Sequence, residues 1–451
     1  MSRCLVMLAA VGMAGMAWAV EFAKPFGDGA VLQRGAKVPV WGTAKPGETV
    51  KVSFGGVTRK TVAGTNGCWR VDLPPMEASK EGRTLSANGA EAKDILVGEV
   101  WFCAGQSNME CPLTCGNPYY RDRDGGLVGQ LIRRPLVRLH HPYRPDWERM
   151  DRKALFDNED SFSALGTYFA FLIHDAIDVP VGIVGAYVGG TGVDYWTPGE
   201  KGAAGWRKQV EPWAPYAIRG LIWYQGEHDA GYKGNWGYCE KMHTFYRRWA
   251  ERFENPDLRL RFVQIAPYDS SADHVTLQMA QAKFAREEKN AAMASAVDLG
   301  NLRCIHPCDK LPLALRLAAL SLKYDYGFSD IEADSPTLRS WTVENGAFRL
   351  EFDHVRRWSI YNREFTTDVG FELAGADGVW HKAKVVNLIP GDPWRCGQVK
   401  DRFLIVKSDE VAEPKALRYL FSKPWYGSLQ NESNLPLGPF SIGDQKIDGA
   451  R

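Results

Sequence analysis

The chain reads Ile95-Leu96-Val97-Gly98-Glu99-Val100-Trp101-Phe102-Cys103-Ala104 and continues as Gly105-Gln106-Ser107-Asn108-Met109. The first segment is apolar and predicts a buried strand, and a glycine at its end lets the backbone turn tightly. A serine just past the carboxyl end of such a strand lies where α/β sheets place their ligands. The stretch therefore predicts a turn that presents Ser107 as a nucleophile. The ordinary alternative for such a serine is a turn residue or a helix cap.

Strand-like and helix-like segments alternate around and after this turn, between residues 98 and 325. Strands are predicted at residues 97–104, 181–188, 218–224, 260–266 and 292–299, and helices at 162–177, 238–253, 276–287 and 311–324. This alternation predicts an α/β domain with an open parallel sheet and helices on both faces. Residues 20–97 and 326–451 have short alternating runs separated by turn residues, which predict an all-β domain on each side.

The first 19 residues have the pattern of a secretory signal peptide. Arg3 supplies a positive charge, residues 5–16 are apolar, and Ala17-Trp18-Ala19 resembles a cleavage site. The apolar run is too short to span a bilayer, and nothing later looks transmembrane. The sequence therefore predicts a secreted or periplasmic protein. A buried N-terminal helix is the alternative.

The overall composition is that of a globular protein. The chain has 451 residues, of which 45% are apolar and 24% charged, and this length predicts two or three domains. Its formal net charge of +1 gives no reason to expect nucleic acid or an anionic membrane as a partner. Aromatic residues make up 12% of the chain. Such side chains can pack against sugar rings, but a hydrophobic core explains them equally well.

Three other polar stretches follow predicted strands of the central domain. They are Gly189-Gly190-Thr191-Gly192, Trp223-Tyr224-Gln225-Gly226-Glu227 and Ile305-His306-Pro307. Glycines allow close approach of backbone N–H groups to a ligand, and a glutamine amide can donate to an oxyanion. Imidazole titrates near neutral pH, so His306 is the predicted base for Ser107. Carboxyl ends of parallel strands share one edge of the sheet, where we expect these stretches to meet. Each has an ordinary alternative as a turn or surface residue.

Taken together, these stretches resemble the sialate O-acetylesterase family, a branch of the SGNH-type (GDSL-like) hydrolases. Further similarities are Asp28-Gly29-Ala30-Val31-Leu32-Gln33-Arg34, Val38-Pro39-Val40-Trp41-Gly42, Trp196, Lys310, Leu417-Arg418-Tyr419 and Asn434-Leu435-Pro436. The resemblance covers nearly the whole chain after residue 19. It implies a three-layer α/β/α SGNH-type hydrolase domain that removes O-acetyl groups from sugars, with neither a metal nor an organic cofactor.

The resemblance also implies roles for individual residues. Ser107 is expected to attack the acetyl carbonyl, with His306 as the base and then the acid. The N–H groups of Ser107 and Gly190 and the side chain of Gln225 are expected to stabilise the oxyanion. Substrate contacts are predicted for Gln106, Asn108, Thr191, Trp196 and Tyr224. The acetylated carbohydrate could be sialic acid or a plant polysaccharide. Non-sugar acyl esters remain a further alternative.

The third member of the triad is left open by the sequence. Many SGNH hydrolases carry an acid three residues before the histidine, but Arg303 occupies that position here. A backbone carbonyl could hold the ring of His306 instead, or Asp298 or Glu227 could serve. The remaining alternative is an esterase fold that has lost its catalysis and acts as a glycan-binding module. The residues after the third stretch, His228-Asp229, also depart from the serine common in the family.

Two pairs of cysteines lie beside the predicted site. Cys304 and Cys308 bracket His306, while Cys111 and Cys115 follow Ser107. In an exported protein, these cysteines predict one or two disulfides that tie the histidine loop to the nucleophile turn. Tetrahedral zinc coordination by the four thiolates is the alternative.

Overall fold

The computed structural model describes residues 19–113, 122, 133–151, 162–231, 237–270, 272–300, 302–360, 369–389, 397–399, 401–422 and 427–443. The predicted signal peptide therefore lies, except for Ala19, outside the described residues, as do Cys115 and Cys396. Within the described part of the chain, no helix has the length and apolar character needed to cross a membrane.

Six parallel strands form the centre of the molecule. They are β8 (Ala90–Gly105), β9 (Arg134–His140), β11 (Val181–Tyr187), β12 (Gly220–Tyr224), β13 (Arg259–Gln264) and β14 (Ala291–Ser295), and the antiparallel strand β10 (Trp147–Met150) lies beside β9. Their order is β10-β9-β11-β8-β12-β13-β14, with every neighbouring pair parallel except β10 and β9. The five predicted strands lie in this sheet, and the prediction of an α/β fold is confirmed. Because β8 lies at the centre, its carboxyl end has a strand on each side.

Helices pack against these strands and against each other. The bounds are α1 (Ser107–Glu110), α2 (Ala164–Ile177), α3 (Glu227–Ala230), α4 (Tyr238–Arg252), α5 (His274–Glu287) and α6 (Lys310–Asp325). Short 3₁₀ or π turns occupy Val193–Trp196, Trp206–Val210 and Glu211–Trp213. Helix α2 packs on α6, and α4 packs on α5. Every residue of β11 and β12 is buried, as expected for strands of a covered parallel sheet.

Four of the strands before residue 90 join the central sheet through β8, and the other three form a separate three-stranded sheet. The seven strands are β1 (Glu21–Phe22), β2 (Val31–Gln33), β3 (Val38–Thr43), β4 (Thr49–Phe54), β5 (Val57–Val62), β6 (Cys68–Leu73) and β7 (Ser79–Ala87). Strand β8 has 16 residues, and its first half pairs with β7 antiparallel and with β2 in parallel. The sheet is consequently mixed, and the predicted boundary at residue 97 falls inside β8. Residues such as Val31 and Val40 share one hydrophobic core with Val181 and Leu221.

The strands after residue 336 have a second hydrophobic core. They are β15 (Thr337–Glu344), β16 (Ala347–Asp353), β17 (Trp358–Ile360), β18 (Phe371–Ala374), β19 (Trp380–Val385), β20 (Gly397–Val399), β21 (Phe403–Lys407), β22 (Ala416–Tyr419), β23 (Leu429–Gln430) and β24 (Phe440–Ile442). Seven of them form one sheet in the order β15-β16-β21-β19-β18-β22-β24. Leu350, Trp358 and Leu404 are at the centre of this core.

Candidate active site

The turn after β8 requires glycine at its first position. Gly105 has φ +149°, and a Cβ built there would lie 2.1 Å from the carbonyl oxygen of Tyr224 on β12. The next amide, that of Gln106, donates to the same oxygen at 3.1 Å. Close approach of the two strand ends therefore fixes the turn, and Ser107 follows as the first residue of α1.

Gly105→Ala is expected to destabilise the protein strongly. Added steric conflict with Tyr224 and an unfavourable φ should together cost about 2–5 kcal/mol of unfolding free energy. Gly202→Ala is the matched control, because a Cβ at Gly202 meets nothing within 4 Å. Urea unfolding of both variants measures the difference. Equal midpoints for the two would contradict the proposed constraint.

The serine and histidine predicted to react lie in direct contact. His306 Nε2 is 2.9 Å from Ser107 Oγ, within hydrogen-bond distance, although the residues are 199 positions apart in sequence. His306 lies in the loop before α6 and is half-buried. Burial, followed by the positive charge of Lys310, lowers the pKa of His306 below its usual value. The ring therefore stays neutral at physiological pH, the state in which it can accept a hydroxyl proton.

Glu227 accepts hydrogen bonds from two residues of the nucleophile turn. Its Oε2 accepts a hydrogen bond from Gln106 Nε2 at 2.8 Å, and its Oε1 accepts one from Asn108 Nδ2 at 2.5 Å. The two donors flank Ser107 in the sequence, so one carboxylate fixes both sides of the serine. Burial raises the pKa of Glu227 to about 7, against the opposing effects of Asn108 and Lys310. Its contacts favour positioning of Ser107 over the alternative that Glu227 acts on His306.

Lys310, the first residue of α6, is a further buried residue of the site, and the sequence pattern assigns it no role. Its side chain is completely buried, and Nζ donates to Asn108 Oδ1 at 2.7 Å. Asn108 Nδ2 also donates to the carbonyl oxygen of Ile305 at 3.0 Å. Asn108 thus joins the nucleophile turn, the histidine loop and a buried ammonium. Lysine side chains are usually exposed, so nothing in the sequence pattern indicated that Lys310 is buried.

Four of the five predicted substrate contacts are instead parts of the interior. Gln106, Asn108, Trp196 and Tyr224 are each at most 3% exposed. The indole N–H of Trp196 donates to Thr191 Oγ1 at 3.0 Å, and the ring of Tyr224 lies 5.1 Å from Lys310 Nζ. These four side chains therefore pack against other protein groups. Thr191 is only half-buried and stays at the surface of the site.

Gln225 also lies in a different environment from the one expected of an oxyanion donor. Its Nε2 donates to Asp229 Oδ2 at 2.6 Å and to the carbonyl oxygen of Thr191 at 3.1 Å, while its Oε1 accepts from Tyr238 Oη at 2.9 Å. An amide group has two N–H donors, and these buried acceptors occupy both. Gln225 therefore links the second and third stretches rather than donating to a substrate, and Asp229 is a partner that sequence reasoning missed.

The second stretch lies close to the serine at Gly189. A Cβ at Gly189 would lie 3.5 Å from Ser107 Cβ, and Gly190 is exposed with φ +69°. Gly190 is therefore beside the nucleophile, in a conformation that favours glycine. The oxyanion role of its N–H group stays a prediction.

Asp298 binds Arg316 rather than His306, which the sequence analysis considered as its partner. Both of its carboxylate oxygens accept from Arg316, at 2.7 and 2.6 Å, and Oδ2 also accepts from Gln430 Nε2 at 3.1 Å. The carboxylate thus anchors α6 to β23. A bidentate arginine contact satisfies an aspartate well, so this structural role replaces the triad role that we considered. Arg303, at the position where many relatives have the acid, is exposed.

The predicted cysteine crosslink is not present among the described cysteines. No disulfide joins any two of Cys68, Cys103, Cys111, Cys239, Cys304 and Cys308. Cys111 is buried beside α1, whereas Cys308 is exposed, and Cys304 Sγ donates to the carbonyl oxygen of His306 at 3.4 Å. Cys115, the remaining member of the predicted group, lies outside the described residues.

Comparison with known proteins points to one group of enzymes. Residues 97–307 match the family described as carbohydrate esterase, sialic acid-specific acetylesterase. Human sialate O-acetylesterase is 23% identical over 384 residues, covering 70% of this chain and 73% of that protein. The rat enzyme of the same name is 22% identical over 393 residues, covering 66% and 72%.

A solved structure matches over almost the whole chain. It is a carbohydrate acetylesterase from Xanthomonas citri, with a TM-score of 0.83 and 27% sequence identity. The match covers 94% of this chain and 100% of that one, so it includes the strands on both sides of the central sheet.

Proposed function

We propose that the chain belongs to the sialate O-acetylesterase family of carbohydrate esterases and that it hydrolyses O-acetyl esters of sugars by Ser–His catalysis. The observation that carries this proposal is the 2.9 Å contact between Ser107 Oγ and His306 Nε2 at the carboxyl end of the central strand. A site that only bound glycan would not need an imidazole within hydrogen-bond distance of a serine hydroxyl. The contact therefore favours an esterase over a glycan-binding module.

The reaction follows from the positions of these two side chains. His306 takes the hydroxyl proton while Ser107 Oγ bonds to the acetyl carbon, and the carbonyl oxygen becomes an oxyanion. The tetrahedral intermediate collapses, the sugar oxygen leaves with the proton from His306, and an acetyl-serine ester remains. Water then attacks this ester with His306 as base, releasing acetate and restoring the serine hydroxyl.

The oxyanion is proposed to bind backbone N–H groups of Ser107 and Gly190. Gly190 is exposed beside Ser107, whereas the amide of Gln225 is directed to Asp229 and Thr191. Each such donor contributes about a hundredfold to a thousandfold in turnover. Glu227 supports the turn that carries one of them. We therefore propose Glu227 as a positioning residue and assign no triad role to Asp298.

Glu227→Gln is expected to lower kcat about a hundredfold, because a small misplacement of the serine has an effect of this size. A glutamine side chain has one oxygen acceptor, and its N–H₂ group would face another donor. It therefore cannot accept hydrogen bonds from both Gln106 and Asn108. The carboxylate must be ionised to accept both bonds, so the acid limb of the wild-type rate profile should have an apparent pKa near 7.

The pH profile of Glu227→Gln provides the check on this assignment. Its acid limb should move to lower pH, because only the histidine, whose pKa is lowered, then remains to be deprotonated. Circular dichroism before the assay controls for folding. An unchanged kcat and an identical acid limb in both proteins would contradict the positioning role.

The remaining features of the proposal concern architecture and location. We propose a three-layer α/β/α SGNH-type domain at residues 98–325, with β strands at 20–97 that share its core and an all-β domain at 326–451. Support comes from the helices packed on the parallel strands and from the second core after residue 336. We also propose export to the periplasm or medium, guided by residues 1–19 as a signal peptide.

Acetate release tests the substrate class directly. We expect the protein without residues 1–19 to release acetate from O-acetylated sialic acid or from acetylated plant polysaccharide, as well as from p-nitrophenyl acetate. The ratio of kcat/KM between the two sugar substrates identifies the natural class. Binding of either sugar without turnover would favour the glycan-binding alternative and overturn the proposed esterase.

A further inference from the structure

Helices α4 and α5 place a thiol, an imidazole and a carboxylate at one point, away from Ser107 and His306. Cys239 and His243 are four residues apart on α4 and therefore on one helix face. Glu287 is the last residue of the neighbouring α5. We infer that Cys239, His243 and Glu287 form a binding site for a zinc ion.

The spacing of the three donor atoms suits tetrahedral zinc. Cys239 Sγ is 3.4 Å from Glu287 Oε2, and His243 Nε2 is 3.0 Å from the same oxygen. All three donor atoms lie within 4.8 Å of one another. Usual zinc bond lengths and tetrahedral angles give donor separations of about 3.4–3.6 Å. The two separations from Glu287 Oε2 lie within a few tenths of an ångström of these values, which suits a zinc ion.

The histidine is held in a suitable orientation. The ring of Phe284 packs against it with 4.8 Å between ring centroids. Nδ1, the nitrogen that faces away from Glu287 Oε2, lies 4.0 Å from Glu288 Oε2. This separation is longer than a hydrogen bond, and a small movement of Glu288 on metal binding would form the carboxylate–imidazole contact that is common behind zinc-bound histidines.

Charge and access also suit a cation. Cys239 is buried, but the side chains of His243 and Glu287 are 34% and 45% exposed, so the ion can enter from solvent. Lys283 Nζ is 4.0 Å from Glu287 Oε1, the oxygen that does not face the thiol and imidazole. Oε2 thus remains for the metal. A water molecule would complete four-coordination.

The ion would join two helices that support the candidate active site. Tyr238, the first residue of α4, donates to Gln225 Oε1 at 2.9 Å, and Gln281 of α5 donates from Nε2 to the carbonyl oxygen of Gln225 at 3.2 Å. This zinc has a structural role and no part in the ester chemistry. It differs from the zinc alternative that the sequence raised, which involved Cys111, Cys115, Cys304 and Cys308.

Metal binding to the whole untagged protein, reduced and freed of metal by a chelator, tests this site. We expect one equivalent of Zn²⁺ by calorimetry and by elemental analysis after dialysis. Co²⁺ in place of Zn²⁺ should give a thiolate-to-metal charge-transfer band in the near ultraviolet. Cys239→Ser should abolish the band, and Glu288→Gln should weaken binding about 10- to 100-fold.

Control variants separate this site from other donors. Cys68→Ser changes an exposed cysteine, and His354→Gln changes a second group of donors, Glu332, Asp334 and His354, where Lys323 Nζ already lies 2.6 Å from Asp334. Both should bind zinc as wild type does. If Cys239→Ser fails to fold, Glu287→Gln, at an exposed position, tests the same site. No stoichiometric binding, a missing charge-transfer band, or loss of binding in His354→Gln would overturn the inference.

Discussion

Ser107→Ala is expected to lower kcat by about a millionfold, the scale measured when a protease loses its nucleophile. The variant removes the hydroxyl that lies 2.9 Å from His306 Nε2, so an acetyl ester on Ser107 can no longer form. Acetate release from an acetylated sugar measures the loss. Sugar binding should change little, because the hydroxyl contributes mainly to bond formation.

A matched serine variant controls for general effects of the substitution. Ser53 lies on β4, where its hydroxyl contacts that of Thr58 at 3.0 Å, far from the candidate site in the fold. Ser53→Ala should keep wild-type kcat. A Ser107→Ala protein with activity comparable to that of Ser53→Ala would exclude Ser107 as the nucleophile.

His306→Gln is expected to lower kcat to a similar extent, because the serine hydroxyl then lacks its base. Ser107→Ala combined with His306→Gln should be no less active than either single variant, since groups that act as one unit lose their effect together. Rates for the four proteins of this double-mutant cycle measure the coupling.

Additive losses in that cycle would contradict catalysis by a Ser–His unit. His381→Gln is the matched control, because His381 is bound at the surface by Glu410 at 2.9 Å. It should retain wild-type kcat, and circular dichroism should be the same for all five proteins.

The sequence predicted the central strands well and the extent of β8 poorly. Apolar runs identify strands that are buried on both faces, and the five predicted strands are all present. The start of β8 was missed because Glu91, Lys93 and Asp94 give its first half a polar, alternating pattern that resembles a separate hairpin. Strand β9 was missed because Pro135 and the buried Arg138 interrupt its apolar run.

The candidate site was predictable where it depends on strand ends and unpredictable where it depends on burial. Ser107, Gly190 and His306 follow strands in sequence, and the structure places them at one edge of the sheet. Asn108 and Gln225 follow strands too, but both are completely buried and bind groups from distant parts of the chain. A polar residue after a strand can face a ligand or serve as a buried hydrogen-bond partner, and sequence pattern alone does not separate these cases.

The pairing of Glu227 and Asp298 with their partners illustrates the same point. Each carboxylate was a candidate for orienting His306, because each lies near a predicted strand end. The structure instead joins Glu227 to the nucleophile turn and Asp298 to Arg316, which lies 18 residues later on α6. Such choices depend on three-dimensional distances between groups that are well separated in sequence.

Mass spectrometry of the acetylated enzyme tests the central claim most directly. The protein is mixed rapidly with p-nitrophenyl acetate, quenched with acid during the first turnover and digested. The account predicts one acetyl group on the peptide that contains Ser107, absent from Ser107→Ala and removed when the enzyme is given time to deacylate. Steady acetate release with an unmodified Ser107 peptide, or the same acetylation in Ser107→Ala, would contradict it.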